Sequence, residues 1–210
     1  MSKLEELAAA VETGKAKIVP GLVEECLAEG IEPMDILNKG MIDAMGVVGE
    51  KFKNNEILVP EMLVAARAMK KGVEVVKPKL GAGNSATIGK MIMGTVAGDL
   101  HDIGKNLVIM MIESAGFEVV DLGVDVPVDK FIEACQDPEV VLVGCSALLT
   151  TTMPALRETV EALNKVPNRS QFKIMVGGAP VTQEFADEIG ADIYTDDAAA
   201  AAEAAKNAVK

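Results

Sequence analysis

From residue 89 onward the sequence alternates, five times over, between a short apolar run and an amphipathic stretch at helical spacing. KMIMGTV is followed by IGKNLVIMMIESAG, FEVVDLG by VPVDKFIEACQ and VVLVGCS by MPALRETVEALNK. FKIMVGG is then followed by TQEFADEIG, and ADIYTDD by AAAAAEAAKNAVK. Strands that pair in parallel need a long crossover, and a helix supplies it. Five such units predict a parallel sheet covered on both faces, with right-handed crossovers and strand order 2-1-3-4-5.

Upstream of residue 79 the apolar residues recur only at helical spacing. LEELAAAVE opens a first helix, broken at Gly14, and IVPGLVEECLAEG a second, with Gly30 as its C-terminal stop. IEPMDILNKGMIDAMGVVGEKF reads as a third helix, with Ile36, Met41 and Met45 among its apolar positions. After the break NNE, ILVPEMLVAARAMKKGVEVVKP reads as a fourth, ended by Pro78. Helices of this length with short loops predict a four-helix bundle over residues 1–78. Residues 79–88, KLGAGNSATI, have linker composition, and residues 89–210 form the α/β domain.

A net charge of −12 argues against a nucleic-acid partner, which needs clustered Lys and Arg, and against an anionic membrane surface. Aromatic residues make up 3% of the chain, so the core must be built from aliphatic side chains and the twelve methionines. Cys26, Cys135 and Cys145 are odd in number, far apart and without a CxxC pair, which fits apolar packing in a reducing cytosol. The charged, helical N-terminus MSKLEELAAAVE does not read as a signal peptide, and no apolar run is long enough to span a membrane. A cytoplasmic protein is expected.

In a sheet of this order, ligands bind at the carboxyl ends of the strands, so the loops Ala97–Gly104, Ser146–Thr152 and Gly177–Pro180 carry the chemistry. The first contains DLHDIG and the only histidine of the chain. His101 can ligate a metal through one ring nitrogen while Asp99, two residues back, accepts a hydrogen bond from the other. A hydrogen-bonded loop histidine is the plainer alternative. Zinc needs three or four protein ligands, and no second His or nearby Cys is available. A metal at His101 would therefore take its remaining ligands from a cofactor, which points to a macrocycle with one axial protein ligand. In the second loop, Ser146, Thr150, Thr151 and Thr152 can bond a cofactor, extend the Asp–His pair, or cap the helix that starts near Met153. In the third, Gly177 and Gly178 either clear a path for a bulky group or make a tight turn. No GxGxxG follows a strand, so nucleotide folds lack their fingerprint.

These residues resemble a known family. Asp99, His101 and Gly104 fit the DxHxxG signature of cobalamin-binding domains, and GDLHDIGKN is close to its methyltransferase form. SALLT and VGGAPVTQEFADEIGAD follow in the expected order, and VGEKFKNNEILVPEMLVAARAM resembles the last part of that family's helical cap. The chain is similar to the corrinoid proteins of methylamine, methanol and methoxy-compound methyltransferase systems and to the cobalamin module of methionine synthase. The implied fold is a four-helix cap followed by a flavodoxin-like, Rossmann-type doubly wound sheet of five parallel strands.

The resemblance implies cobalamin, as methylcobalamin or another corrinoid, with His101 as lower axial ligand to cobalt in place of the dimethylbenzimidazole base. Asp99 would accept the other ring proton and Thr152 would be the third relay hydroxyl. Asp102, Ile103, Gly104 and Leu148 would contact the cofactor. Ser146 and Thr150 would line the channel for the displaced nucleotide tail, Gly177 and Gly178 would let it pass, and Tyr194 falls near its end. Leu58 takes a cap position where some relatives carry an aromatic. The cap would shield the reactive face, with the linker at 79–88 as hinge. The implied function is methyl carriage. Cobalt accepts a methyl group from a substrate-specific methyltransferase and passes it to a second methyltransferase acting on a thiol or tetrahydrofolate acceptor, a reductive-activation protein being the third partner. Such a subunit catalyses little alone. The alternatives are a cobalamin-dependent sensor or regulator, the small subunit of an adenosylcobalamin mutase, and a cofactor-free signalling domain.

Overall fold

The structure is a computed structural model that describes residues 2–80 and 87–209. Most of the linker expected at 79–88, and the hinge assigned to it, lie outside the described residues. The chain divides into two units, one of residues 1–87 together with Ser114–Gly116 and one of Ile88–Glu113 and Phe117–Lys210.

The first unit is helical. α1 (Lys3–Glu12) starts at Ser2, whose hydroxyl accepts from Glu5 N (3.2 Å) while Glu5 Oε2 accepts from Ser2 N (2.7 Å). α2 (Val19–Ala28) carries Pro20 in its first turn, and Gly30 just beyond its end has φ +79°. The stretch expected as one third helix is two, α3 (Pro33–Leu37) and α4 (Asp43–Lys53), joined by a π-helical turn at Asn38–Ile42. Ile36, Leu37, Gly40 and Met41 are all buried around this turn, and a single π-type turn accommodates such a local irregularity within a helix. Gly40 within it lies so close to α1 that a Cβ there would approach Leu7 Cδ2 to 2.8 Å. α5 (Val59–Val76) buries Met62, Ala65, Ala68, Met69 and Val76. Pro78 falls in a short 3-10 turn after it.

The second unit realises the alternation in full. β1 (Lys90–Val96), α6 (Ile103–Ser114), β2 (Glu118–Val126), α7 (Val128–Ala134), β3 (Val140–Ser146), α8 (Met153–Leu163), β4 (Lys173–Gly177), α9 (Gln183–Ile189), β5 (Ile193–Tyr194) and α10 (Ala198–Ala208) follow in order. All neighbouring strands pair in parallel, in the order β2-β1-β3-β4-β5. Side chains alternate across a strand. Ile92, Val96, Val143, Cys145, Ile174 and Val176 face one way, into a core with Phe131 of α7, Leu156, Val160 and Leu163 of α8, and Ile189 of α9. Phe131 has no exposed surface and sits over Gly94, where a Cβ would come within 2.8 Å of its ring. Truncating a ring buried in this way typically costs about 3–5 kcal/mol.

Met93 and Met175 alternate to the opposite face, where they line one cavity with Leu107 and Val108 of α6 and Ala198 and Ala201 of α10. Three helices fill the first face. On the second, the two helices leave room between them over the middle strands, and that room opens at the carboxyl edge of the sheet.

Among the described residues no helix is long and apolar enough to cross a membrane. Cys26, Cys135 and Cys145 are all free and buried, and burial raises each thiol above its ordinary pKa. The thiolate is the reactive species. The native protein at neutral pH should therefore give no fast reaction with a chromogenic disulfide reagent, and all three thiols should titrate after unfolding in guanidinium.

Candidate functional site

The loop between β1 and α6 turns at Gly98, with φ +80°. It is tied to the end of β2, since Gly98 N donates to Asp125 Oδ1 (2.7 Å) and Asp125 N donates to the Asp99 carbonyl (2.9 Å). Asp125 itself has φ +51°, a left-handed conformation that Asp tolerates better than most residues.

Pinned in this way, the Asp99 side chain is fully buried. A carboxylate has about four acceptor positions, and four donors occupy them. Oδ1 accepts from His101 N (3.1 Å) and from His101 Nδ1 (2.8 Å). Oδ2 accepts from Leu148 N (2.7 Å) and from Thr152 Oγ1 (2.7 Å). Burial alone would push the Asp99 carboxyl up, but the bonds from Leu148, Thr152 and His101 outweigh it and hold the group well below the ordinary carboxylate range. Asp99 is therefore an anion, and an anion can only accept, so His101 Nδ1 carries a proton. In the neutral ring Nε2 then presents a lone pair. It has no protein partner among the described residues, and the imidazole is 47% exposed.

Thr152 occupies the N-cap position of α8 without making a side-chain cap. Its hydroxyl turns instead to Asp99, with the Leu149 carbonyl 3.0 Å away. The helix-capping alternative is thus not the one the chain adopts.

Beside His101 lies the cavity on the second face of the sheet, with a volume of about 700 Å³. His101, Asp102, Ile103, Gly104, Ser146, Leu148, Gly177, Gly178 and Tyr194 all line it. Asp99 and Thr152 stand behind this wall as buried support. Thr150 is exposed and does not line the cavity. Leu58 belongs to the helical unit, where it is exposed at the N-cap of α5. Gly104 leaves open space where a Cβ would be. Gly178 is required for a different reason. Its φ is +129°, and a Cβ there would collide with the Ala147 carbonyl, so this glycine serves the close approach of two loops rather than passage of a ligand.

Three further polar residues hold the site and were not singled out from the sequence. Thr95, in β1, donates to the His101 carbonyl (2.9 Å) and lies 2.8 Å from Ser146 Oγ. Lys105, almost fully buried in the first turn of α6, places Nζ 2.7 Å from both carboxylate oxygens of Asp121 and from Asn106 Oδ1. Asp125 ties the loop as described. One signal was legible: Thr95 is the only polar side chain of the buried part of its strand, and buried polar groups need partners. Among the described residues no group of three or more His, Cys, Asp or Glu side chains could hold a metal ion. A metal at Nε2 would bring its other ligands with it.

Replacing Asp99 by Asn puts an NH2 donor against donors. The Asp99→Asn variant should lose on the order of 3 kcal/mol of stability at neutral pH. Because the native carboxyl titrates below its unfolded value, its stabilisation is complete above that value and fades as pH falls below about 4. The gap between wild type and variant, measured by denaturant unfolding, should therefore narrow on acidification and not on alkalinisation.

Two matches to a B12 binding domain cover the chain, one over residues 3–77 and one over residues 89–206. Dimethylamine corrinoid protein 1 of Methanosarcina acetivorans is 43% identical over 204 residues, 97% of this chain and 95% of that protein. Trimethylamine corrinoid protein 1 of the same organism is 45% identical over 179 residues, 84% of this chain and 83% of that protein. The methanol:cobalamin methyltransferase complex of Methanosarcina barkeri includes a chain that superposes with a TM-score of 0.87 at 30% identity, covering 99% of this chain and 79% of that one. With both domain matches and its relatives in agreement, the chain belongs to the family of B12-binding corrinoid proteins.

Proposed function

We propose that the protein is a corrinoid methyl carrier, in which His101 Nε2 would be the protein's ligand to cobalt. The observation that carries this is the single exposed imidazole whose other nitrogen is bound to a buried, saturated carboxylate. That arrangement fixes the tautomer and strengthens the donor.

The surroundings fit a large, flat, largely apolar group. Leu100 is 71% and Ile103 85% exposed on either side of His101, and Leu148 and Leu149 are exposed on the facing loop. Clustered exposed apolar side chains of this kind mark a binding surface. Below them the cavity has the size of a pocket for a substantial appended group. Ser146 stands at the end of β3 on its wall, and Tyr194 lines it at the end of β5. When bound, cobalt would take up a methyl group from a donor and release it to an acceptor. The chain's own part is to present Nε2, to hold the Nδ1 proton at Asp99, and to seat the appended group between α6 and α10.

Two methyltransferases are the implied partners, one specific for the methylated substrate and one serving a thiol or tetrahydrofolate acceptor, together with a reductive-activation protein. Relatives named for methylamines align along both units, and a structural relative is part of a methanol:cobalamin methyltransferase complex. This supports the carrier reading over a mutase subunit, which would not need residues 1–78 as a cap. Three free buried thiols support work in the cytoplasm.

The test is retention of hydroxocobalamin after removal of free cofactor. Wild type should keep about one equivalent, and His101→Ala should keep less and show an absorption spectrum changed in the way loss of a nitrogen axial ligand requires. A wild type that keeps none, or a variant with an unchanged spectrum, contradicts the proposal.

A further inference from the structure

Thr95 is 1% exposed, and its hydroxyl lies between two oxygens, the His101 carbonyl at 2.9 Å and Ser146 Oγ at 2.8 Å. A carbonyl can only accept, so Thr95 donates its one proton to His101. With that proton committed, the Thr95–Ser146 bond must run the other way, with Ser146 as donor. The proton count therefore orders the chain Ser146 to Thr95 to His101. It leaves the Ser146 oxygen, on the cavity wall, able only to accept from the cavity.

The two ends of His101 are thus fixed independently. Asp99 holds its ring and its backbone N–H, and Thr95 holds its carbonyl. We infer that Thr95 is a positioning residue for the axial imidazole, acting through the His101 backbone and orienting the Ser146 hydroxyl on the cavity wall. The inference rests on the corrinoid reading for its consequence at cobalt, but its geometry belongs to the chain alone. It follows that a cavity group facing Ser146 is best matched as a donor. A group that accepts there would need Ser146 to turn away from Thr95.

The experiment uses the full chain labelled with ¹³C at the histidine carbonyl, which gives one signal because His101 is the only histidine. Thr95→Val keeps the β-branched shape and removes the hydroxyl. In the apoprotein its carbonyl signal should move upfield from that of wild type, Thr95→Ser should restore it, and Ser146→Ala should leave it in place, since Ser146 donates to Thr95 and not the reverse. After loading with hydroxocobalamin, Thr95→Val should retain the corrinoid about 10–100-fold less tightly, the usual effect of losing a ligand-orienting partner, and Thr95→Ser should recover it. An unmoved signal in Thr95→Val, or failure of serine to rescue, overturns the inference. A Ser146→Ala shift as large as that of Thr95→Val overturns the proton order. If wild type retains no corrinoid, the carrier reading fails at that step, while the carbonyl signals still decide whether Thr95 holds His101.

Discussion

The site depends on one buried charge. Asp99 is removed from water at a cost that four hydrogen bonds offset, and each donor comes from a part of the chain that must be in place for the bond to form. Two come from its own loop, one from the backbone after β3 and one from the start of α8. The carboxylate is therefore a structural tie between two sheet-edge loops as well as the partner of the imidazole. Loss of any donor would leave a buried anion short of a bond, so the loops are specified together rather than one at a time.

Placement of this tie follows from topology. With order β2-β1-β3-β4-β5, the chain reverses direction at β1, and the loops after β1 and β3 emerge side by side. The same reversal sends α6 one way and α7 to α9 the other. Three helices close one face, while α6 and α10 leave the cavity open on the opposite one. The imidazole at the edge and the pocket below it are two results of one winding pattern.

Much of this was legible in the sequence. The five strand–helix alternations gave the sheet and its order, and DLHDIG placed the histidine at the ligand edge because that loop follows the first strand. Asp99 could be named from its place two residues before His101, whereas the role of Thr152 came only through resemblance, because the loop hydroxyls are open to several roles by residue type alone. What was not legible depended on distance in space. Thr95 stands out as the one hydroxyl of an apolar run, but its partners, the His101 carbonyl and Ser146, are not readable from residue type. Lys105 follows the motif directly and reads as a solvated helix charge, yet it is buried against Asp121. The glycine pair at the end of β4 reads either as room for a ligand or as a tight turn, and Gly178 is set by the Ala147 carbonyl. The π-helical turn escaped because Leu37, Met41 and Met45 keep a regular four-residue spacing across it.

The central claim is that Asp99 presets the neutral His101 ring with its proton on Nδ1 and its lone pair on Nε2. The direct measurement is the ¹⁵N spectrum of the corrinoid-free protein carrying labelled histidine, in mildly alkaline buffer, where one residue gives two ring signals. The account predicts that Nδ1 is the protonated nitrogen and Nε2 the bare one, and that Asp99→Ala abolishes this preference. A ring protonated at Nε2 in the wild type, or a preference untouched by the loss of Asp99, would contradict it.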